Sequence, residues 1–162
     1  MAYAENTTVP VSRSQAELLR ILEKHGCDDI VQANSKGRQK LIIQFSYEGI
    51  PCRLALPIPS PQEERFHLHG SGWKLSATEA EKKYQKELRR IWRCLVLIVK
   101  ARFEELDAEL FSAQEVLAPW LVLPCGATVG EALREGGDSL IKKLEKAMGT
   151  KMITWGEKGD SP

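Results

Sequence analysis

The side chains most capable of chemistry fall in two stretches. In "RFHLHGSGW", residues 65 to 73, His67 and His69 would point the same way from an extended backbone. They could then share a divalent cation with a third ligand such as Cys52 or Glu64. No third or fourth ligand is identifiable at a fixed spacing, so the two histidines are weak candidates and no metal or other cofactor is expected. Gly70, Gly72 and Trp73 describe a flexible flap instead, whose indole would stack on a base or plug the edge of a core, the second being favoured. The other stretch is "KELRRIWRCLVLIVKARFEEL", residues 86 to 106. At 100° per residue it sets Lys82, Lys86, Arg89, Arg93 and Lys100 on the side opposite a broad apolar face. Such lysines and arginines are first of all the solvated back of a core helix. The functional alternative is that Lys82, Lys86, Arg89 and Arg93 form a strip for phosphates, since forked guanidinium donors grip a phosphate through two bonds. Glu79, Glu81 and Glu87 lie near enough in sequence to weaken that field.

Other chemistries lack their signatures. No Gly-x-x-x-x-Gly-Lys-Ser/Thr or Gly-x-Gly-x-x-Gly pattern cradles a phosphate, and Gly126, Thr128 and Gly130 read as a turn followed by a helix cap. There is no Gly-x-Ser-x-Gly elbow and no His-Glu-x-x-His. Cys52 and Cys94 fall in apolar settings where a thiol is inert, and only Cys125, in a turn, is expected to be exposed. The carboxylates are scattered, so no acid and base pair stands out, and no enzyme is expected.

The totals agree with a local rather than a global electrostatic site. The 162 residues carry 23 basic against 22 acidic side chains, a net charge of +1, which gives the whole molecule no polyelectrolyte drive toward nucleic acid or membrane. The cysteines Cys27, Cys52, Cys94 and Cys125 are widely spaced and read as reduced thiols. The N-terminus has neither a basic start nor an apolar stretch, and the longest apolar run, "CLVLIV", is too short to span a bilayer. A soluble cytoplasmic protein without a membrane partner is expected.

The elements that must hold these groups follow from periodicity. "VSRSQAELLRILEKHG" reads as a first helix stopped by Gly26, with Leu18, Ile21, Leu22 and His25 on one face. Ser12 with Gln15, and Ser14 with Glu17, form overlapping capping boxes. From Ile30 to Ile58 the period drops to two. A two-residue turn at Glu48 and Gly49 pairs residues whose numbers sum to 97, placing Tyr47, Phe45, Ile43 and Leu41 with Ile50, Cys52, Leu54 and Leu56 on a single face. A second turn at "NSKG", residues 34 to 37, adds a strand that brings Ile30 to that face. Residues 57 to 76 read as a long connection without a sustained period, a place where sites are often found. A capping box from Ser76 to Glu79 then opens a helix that can run to about Leu110. Its face comprises Tyr84, Leu88, Ile91, Trp92, Leu95, Ile98, Val99, Phe103 and Leu106. Val96 and Leu97 lie near the basic side, so the middle is apolar nearly all round and needs cover from C-terminal helices or a second protomer. Short helices follow, capped by Ser112 with Glu115, by Thr128 with Glu131 and by Asp138.

These residues make an α+β domain: an N-terminal helix, a three-stranded antiparallel sheet, a long central helix and short C-terminal helices. Residues 1–150 form the single domain and 151–162 a flexible tail.

The motifs "MAYAE…VPV", "WRCLVLIVKARFE" and "LPCGATVGEAL", in that order over residues 1 to 135, resemble a family of small proteins encoded by phages and prophages. The family has no settled biochemical role and lends no catalytic residue. The resemblance implies a setting, a bacterial host cell under phage or prophage control. In that setting the expected function is a non-catalytic binding protein that counters host defence, by occluding a host defence protein or by sequestering a nucleotide second messenger. Its surface would comprise Lys82, Lys86, Arg89, Arg93 and Trp73, and a homo-oligomer is expected. A nucleic-acid-binding accessory protein of phage DNA metabolism and a metal-dependent enzyme using His67 and His69 remain as alternatives.

Overall fold

The computed structural model describes residues 3–35 and 39–137, and every structural statement below concerns these. Helix α1, Val11–Lys24, leads into a three-stranded antiparallel sheet in the order β1 (Asp28–Ser35), β2 (Lys40–Tyr47), β3 (Ile50–Pro57). A one-turn helix α2, Glu64–His67, precedes the long helix α3, Ala77–Asp107. Then come α4, Ala113–Leu117, a 3-10 turn at Ala118–Trp120, and the helical residues 129–137, labelled α5. The expected α+β architecture is the one observed. The expected helix capped by Asp138, and the tail over 151–162, lie outside the described residues.

The hairpin register is the expected one. Tyr47 pairs with Ile50, Phe45 with Cys52, Ile43 with Leu54 and Leu41 with Leu56. Glu48 and Gly49 both take positive φ, the condition for a two-residue turn whose twist suits the flanking strands. Strand β1 departs from expectation. Asn34 and Ser35 belong to the strand, opposite Leu41 and Lys40, so the connection begins after Ser35. The shift is by an even number, so Ile30 still packs on the apolar side. Between Asp28 and Val31 the register slips, and Asp29 takes a positive φ of 52°. Bulges of this kind occur at sheet edges.

Helix α1 ends as expected. Gly26 adopts φ 72°, its N–H reaches the Glu23 carbonyl and the Cys27 N–H reaches that of Leu22, both at 3.0 Å, the paired bonds of a Schellman stop. Its start does not follow the expected capping boxes. Pro10 is the N-cap and no side chain caps the helix. Ser14 is fully buried, and its Oγ has no hydrogen-bond partner among the described residues. Burial beside Leu18 outcompeted the capping role that a serine near a helix start ordinarily takes.

Helix α3 is unbroken over 31 residues, opened by the full Ser76 and Glu79 capping box. It stops at Asp107, three residues before the expected end, because Glu109 turns to φ 52° and the Leu110 N–H closes back on the Glu105 carbonyl. The core joins Leu18 and Leu22 of α1 and Leu41, Ile43, Phe45, Cys52 and Leu54 of the sheet with Trp92, Leu95, Val96, Val99 and Phe103 of α3 and Val116 and Leu117 of α4. The buried face of α3 is rotated from the expected one: Val96 is inside, whereas Ile98 is 45% exposed. Helix α1 packs on α3, with its Glu17 paired to Arg93 about one turn before Val96, so part of the cover expected from C-terminal helices or a second protomer comes from the N-terminal helix.

Candidate functional site

The basic strip sits where α1 and the N-terminal segment cross α3, and its members are not equivalent. Arg93 Nη1 donates to Glu17 Oε2 of α1, an ion pair between the two helices that, by this hydrogen bond first of all, pushes the arginine pKa up. Lys86 Nζ donates to Asn6 Oδ1 at 2.9 Å. Lys82 is exposed and stands near Glu79, whose carboxyl is lowered chiefly by the Ser76 hydrogen bonds and less by Lys82 and His69. Arg89 is half-buried, and its Nε is shielded from solvent without a hydrogen-bond partner among the described residues. Ser14 Oγ, the other such atom, lies three residues before Glu17, and Arg89 lies four before Arg93. The two unsatisfied groups thus fall one helical turn from the same ion pair, on the two helices that it joins.

Residues 57 to 76 carry more structure than a plain connection. Phe66 of α2 is buried and meets the Tyr84 ring edge-on at 5.4 Å between centroids. Residues 68–74 form a small hairpin closed by a bridge between Leu68 and Lys74, by the His69 N–H on the Trp73 carbonyl at 2.7 Å and by the Gly72 N–H on the His69 carbonyl at 2.8 Å. Gly72, at φ 87°, makes the bend that a side chain would strain. Lys83 fastens this hairpin to α3, its Nζ donating to the carbonyls of Arg65 and Leu68, both at 2.8 Å.

Trp73 does not plug the core. It is 76% exposed, the highest fraction among the large apolar side chains described. The sequence favoured burial because a tryptophan beside a glycine pair commonly closes a core edge; Phe66 takes that place here.

The two histidines do not converge. His67 ends α2 rather than an extended run, and its Nε2 donates to the Pro61 carbonyl at 2.9 Å. His69 Nδ1 accepts from the Ser71 N–H at 3.3 Å and pairs with Ser71 Oγ at 2.6 Å. Among the described residues no group of three or more histidine, cysteine, aspartate or glutamate side chains could hold a metal ion.

Cys27 and Cys52 are buried, and desolvation raises their thiols to about 12 and about 11. Cys125 is exposed, as expected. Cys94 is half-exposed rather than sealed in apolar surroundings, because it lines an open cleft between α3 and the end of β3, with its Sγ 3.8 Å from the Tyr3 carbonyl.

That flank holds a feature the sequence did not reveal. A cleft of about 590 Å³ opens between α3, the end of β3 and the α2 region. Across its wall Arg90 binds Glu87 through Nε and Nη2 at 2.8 and 2.6 Å, and Arg65 Nη1 stands 4.0 Å from the same carboxylate. The Arg90 hydrogen bonds are the main reason the Glu87 carboxyl is held below its ordinary value. A second groove of about 420 Å³ shares Arg65, Glu87 and Arg90 and adds Lys83 and Lys86. Spacing along α3 could have flagged Arg90 with Glu87, but Arg65 comes from another element, and no periodicity connects the two.

The "LPCGATVGEAL" stretch is architectural in its geometry. Leu121 bridges to Cys52 and the Val122 N–H reaches the Pro51 carbonyl, so this segment covers the free edge of β3. It turns back through Pro124 and Gly126, and Thr128 with Glu131 caps α5 reciprocally. Arg53 ties that cap to the sheet, donating to Glu131 Oε2 at 2.8 Å and to the Gly126 carbonyl at 2.7 Å. The Thr128 backbone bond and Arg53 together hold the Glu131 carboxyl below its usual range.

No protein-family model matches the chain, and neither a curated protein nor a solved structure matches it. No described helix is long and apolar enough to cross a membrane.

Proposed function

We propose that this chain works by binding: a non-catalytic, phage-encoded protein of the bacterial cytoplasm that counters host defence by occluding a defence protein or sequestering a nucleotide signal. The setting comes from the phage and prophage resemblance of its three motifs. The carrying observation is Trp73, 76% exposed on a hairpin that its own backbone bonds and Lys83 hold in place. A large aromatic presented on a closed turn loses little conformational entropy on docking, and such side chains are the usual anchors of an interface. Lys82, Lys86 and Arg89 on the following helix supply positive charge, with Arg93 at the strip's far end engaged by α1. The partly exposed Leu97 on α3 gives the proposed homo-oligomer apolar surface to cover.

Native mass spectrometry of the protein isolated from bacterial cells tests this reading. A stoichiometric host protein or nucleotide should accompany the chain; a bare chain at every concentration removes the proposal.

A second reading, a nucleic-acid-binding accessory protein, is favoured by the same exposed indole, since base stacking on an aromatic needs no sequence code. It requires an affinity that falls steeply with salt as counterions are released. Mobility shifts that stay flat at low salt exclude it.

A further inference from the structure

We propose that the cleft beside Arg65 and Arg90 is a binding site for a small organic phosphate: a phosphate monoester carried on a flat apolar body, the size of a nucleoside monophosphate. The site is built from residues other than Trp73 and does not depend on the reading of Trp73 as an anchor.

Volume and shape come first. The cleft measures about 590 Å³, inside the range of roughly 300–1,000 Å³ in which small-molecule sites fall. Its floor is apolar, with Leu56 from β3 and Ile98 from α3 among the lining side chains. Ile98 is 45% exposed, so a bound planar group would remove apolar surface from water there.

Charge selects the ligand class. Lys40, Arg65 and Arg90 line the cleft against two carboxylates, Glu63 and Glu87, leaving one surplus positive charge (3 − 2 = 1). The carboxylates orient the guanidiniums without exhausting them. Arg90 uses Nε and Nη2 on Glu87, so Nη1 has no carboxylate partner. Arg65 donates Nε to Glu63 at 2.6 Å, its Nη1 stands 4.0 Å from Glu87, beyond hydrogen-bond distance, and its guanidinium is further fixed over the Phe66 ring at 4.7 Å. Two held guanidiniums from different elements, each with a spare donor, suit an oxyanion with several acceptor atoms. A phosphate monoester presents three such oxygens and about −1.5 to −2 charges at neutral pH, whereas a carboxylate presents two oxygens and one charge.

Isothermal titration of the full chain in low salt, with AMP, adenosine and inorganic phosphate as probes, decides the matter. AMP should bind at least about tenfold more tightly than either part alone, because floor and guanidiniums act together. Arg65→Ala should weaken AMP about tenfold or more, and Arg90→Lys, which keeps a partner for Glu87 but loses the fork, should weaken it as well. Thermal melts show that each variant is folded. Arg20→Ala, an exposed cation on α1 that does not line the cleft, should leave AMP binding unchanged. The proposal is overturned if AMP binds no better than its parts, if Arg65→Ala binds AMP normally, or if Lys82→Ala abolishes binding, which would move the anion out of the cleft to Lys82.

Discussion

Arg93 of α3 and Glu17 of α1 form a direct ion pair that crosses 76 residues of sequence and locks the N-terminal helix onto the central one. The pair is one-fifth exposed on the arginine side and two-fifths on the glutamate side, so its energy is discounted by solvent screening. A double-mutant cycle with Arg93→Ala and Glu17→Ala, read by urea unfolding, should give a coupling of about 0.5–1 kcal/mol that shrinks in high salt. A coupling indistinguishable from zero would mean that the two helices are held by apolar contact alone.

Ser14 points to the opposite kind of change. Its hydroxyl is buried without a partner among the described residues, and a desolvated, unsatisfied polar group costs about 1–3 kcal/mol. Ser14→Ala should therefore leave stability unchanged or raise it by about 1 kcal/mol. A loss of more than that on chemical denaturation would reveal a partner, such as a buried water shared with Arg89.

Gly130 is fixed by space rather than by dihedral angle. A Cβ there would lie 2.8 Å from the Pro119 carbonyl oxygen, a backbone atom with little room to move. Gly130→Ala should destabilise the fold by about 1–3 kcal/mol despite the better helix propensity of alanine. An unchanged melting temperature would show that α5 does not press on the 118–120 turn.

The pH limits follow from opposite shifts. Glu87 and Glu131 have folded pKa values below the ordinary carboxylate value, so they stabilise the fold above that value and the contribution fades as pH falls through their folded values. Cys27 and Cys52 are raised from 9.0 to about 12 and about 11, so their contribution is complete below pH 9.0 and is lost as pH climbs toward those values. Stability should thus fall at both ends. Replacing Cys27 and Cys52 with alanine should flatten the alkaline limb above pH 9.0, and an alkaline limb of unchanged steepness would contradict the assignment.

The parts of this molecule legible in the sequence are those set by local rules. The 97-sum hairpin was readable because a period of two admits no partial error: a slip by one residue would expose every apolar side chain of the pair. The Ser76, Ser112 and Thr128 caps were readable because each lies within four residues of its partner. What escaped depends on contacts distant in sequence. Val96 is buried and Ile98 exposed because α1 docks on one flank of α3, and the Arg65 and Arg90 cleft exists only once α2 lies against that helix. Trp73 stays outside because Phe66, seven residues earlier, takes the buried place against Tyr84 of α3.

The proposed binding role stands or falls with Trp73. Quantitative capture from bacterial lysate by wild type and by a Trp73→Ala, Lys82→Glu variant, with mass spectrometry identifying and counting the bound species, tests it most directly. The account predicts one stoichiometric ligand or protein whose retention drops about tenfold or more in the variant, with folding unchanged by circular dichroism. Equal retention by both proteins would contradict it.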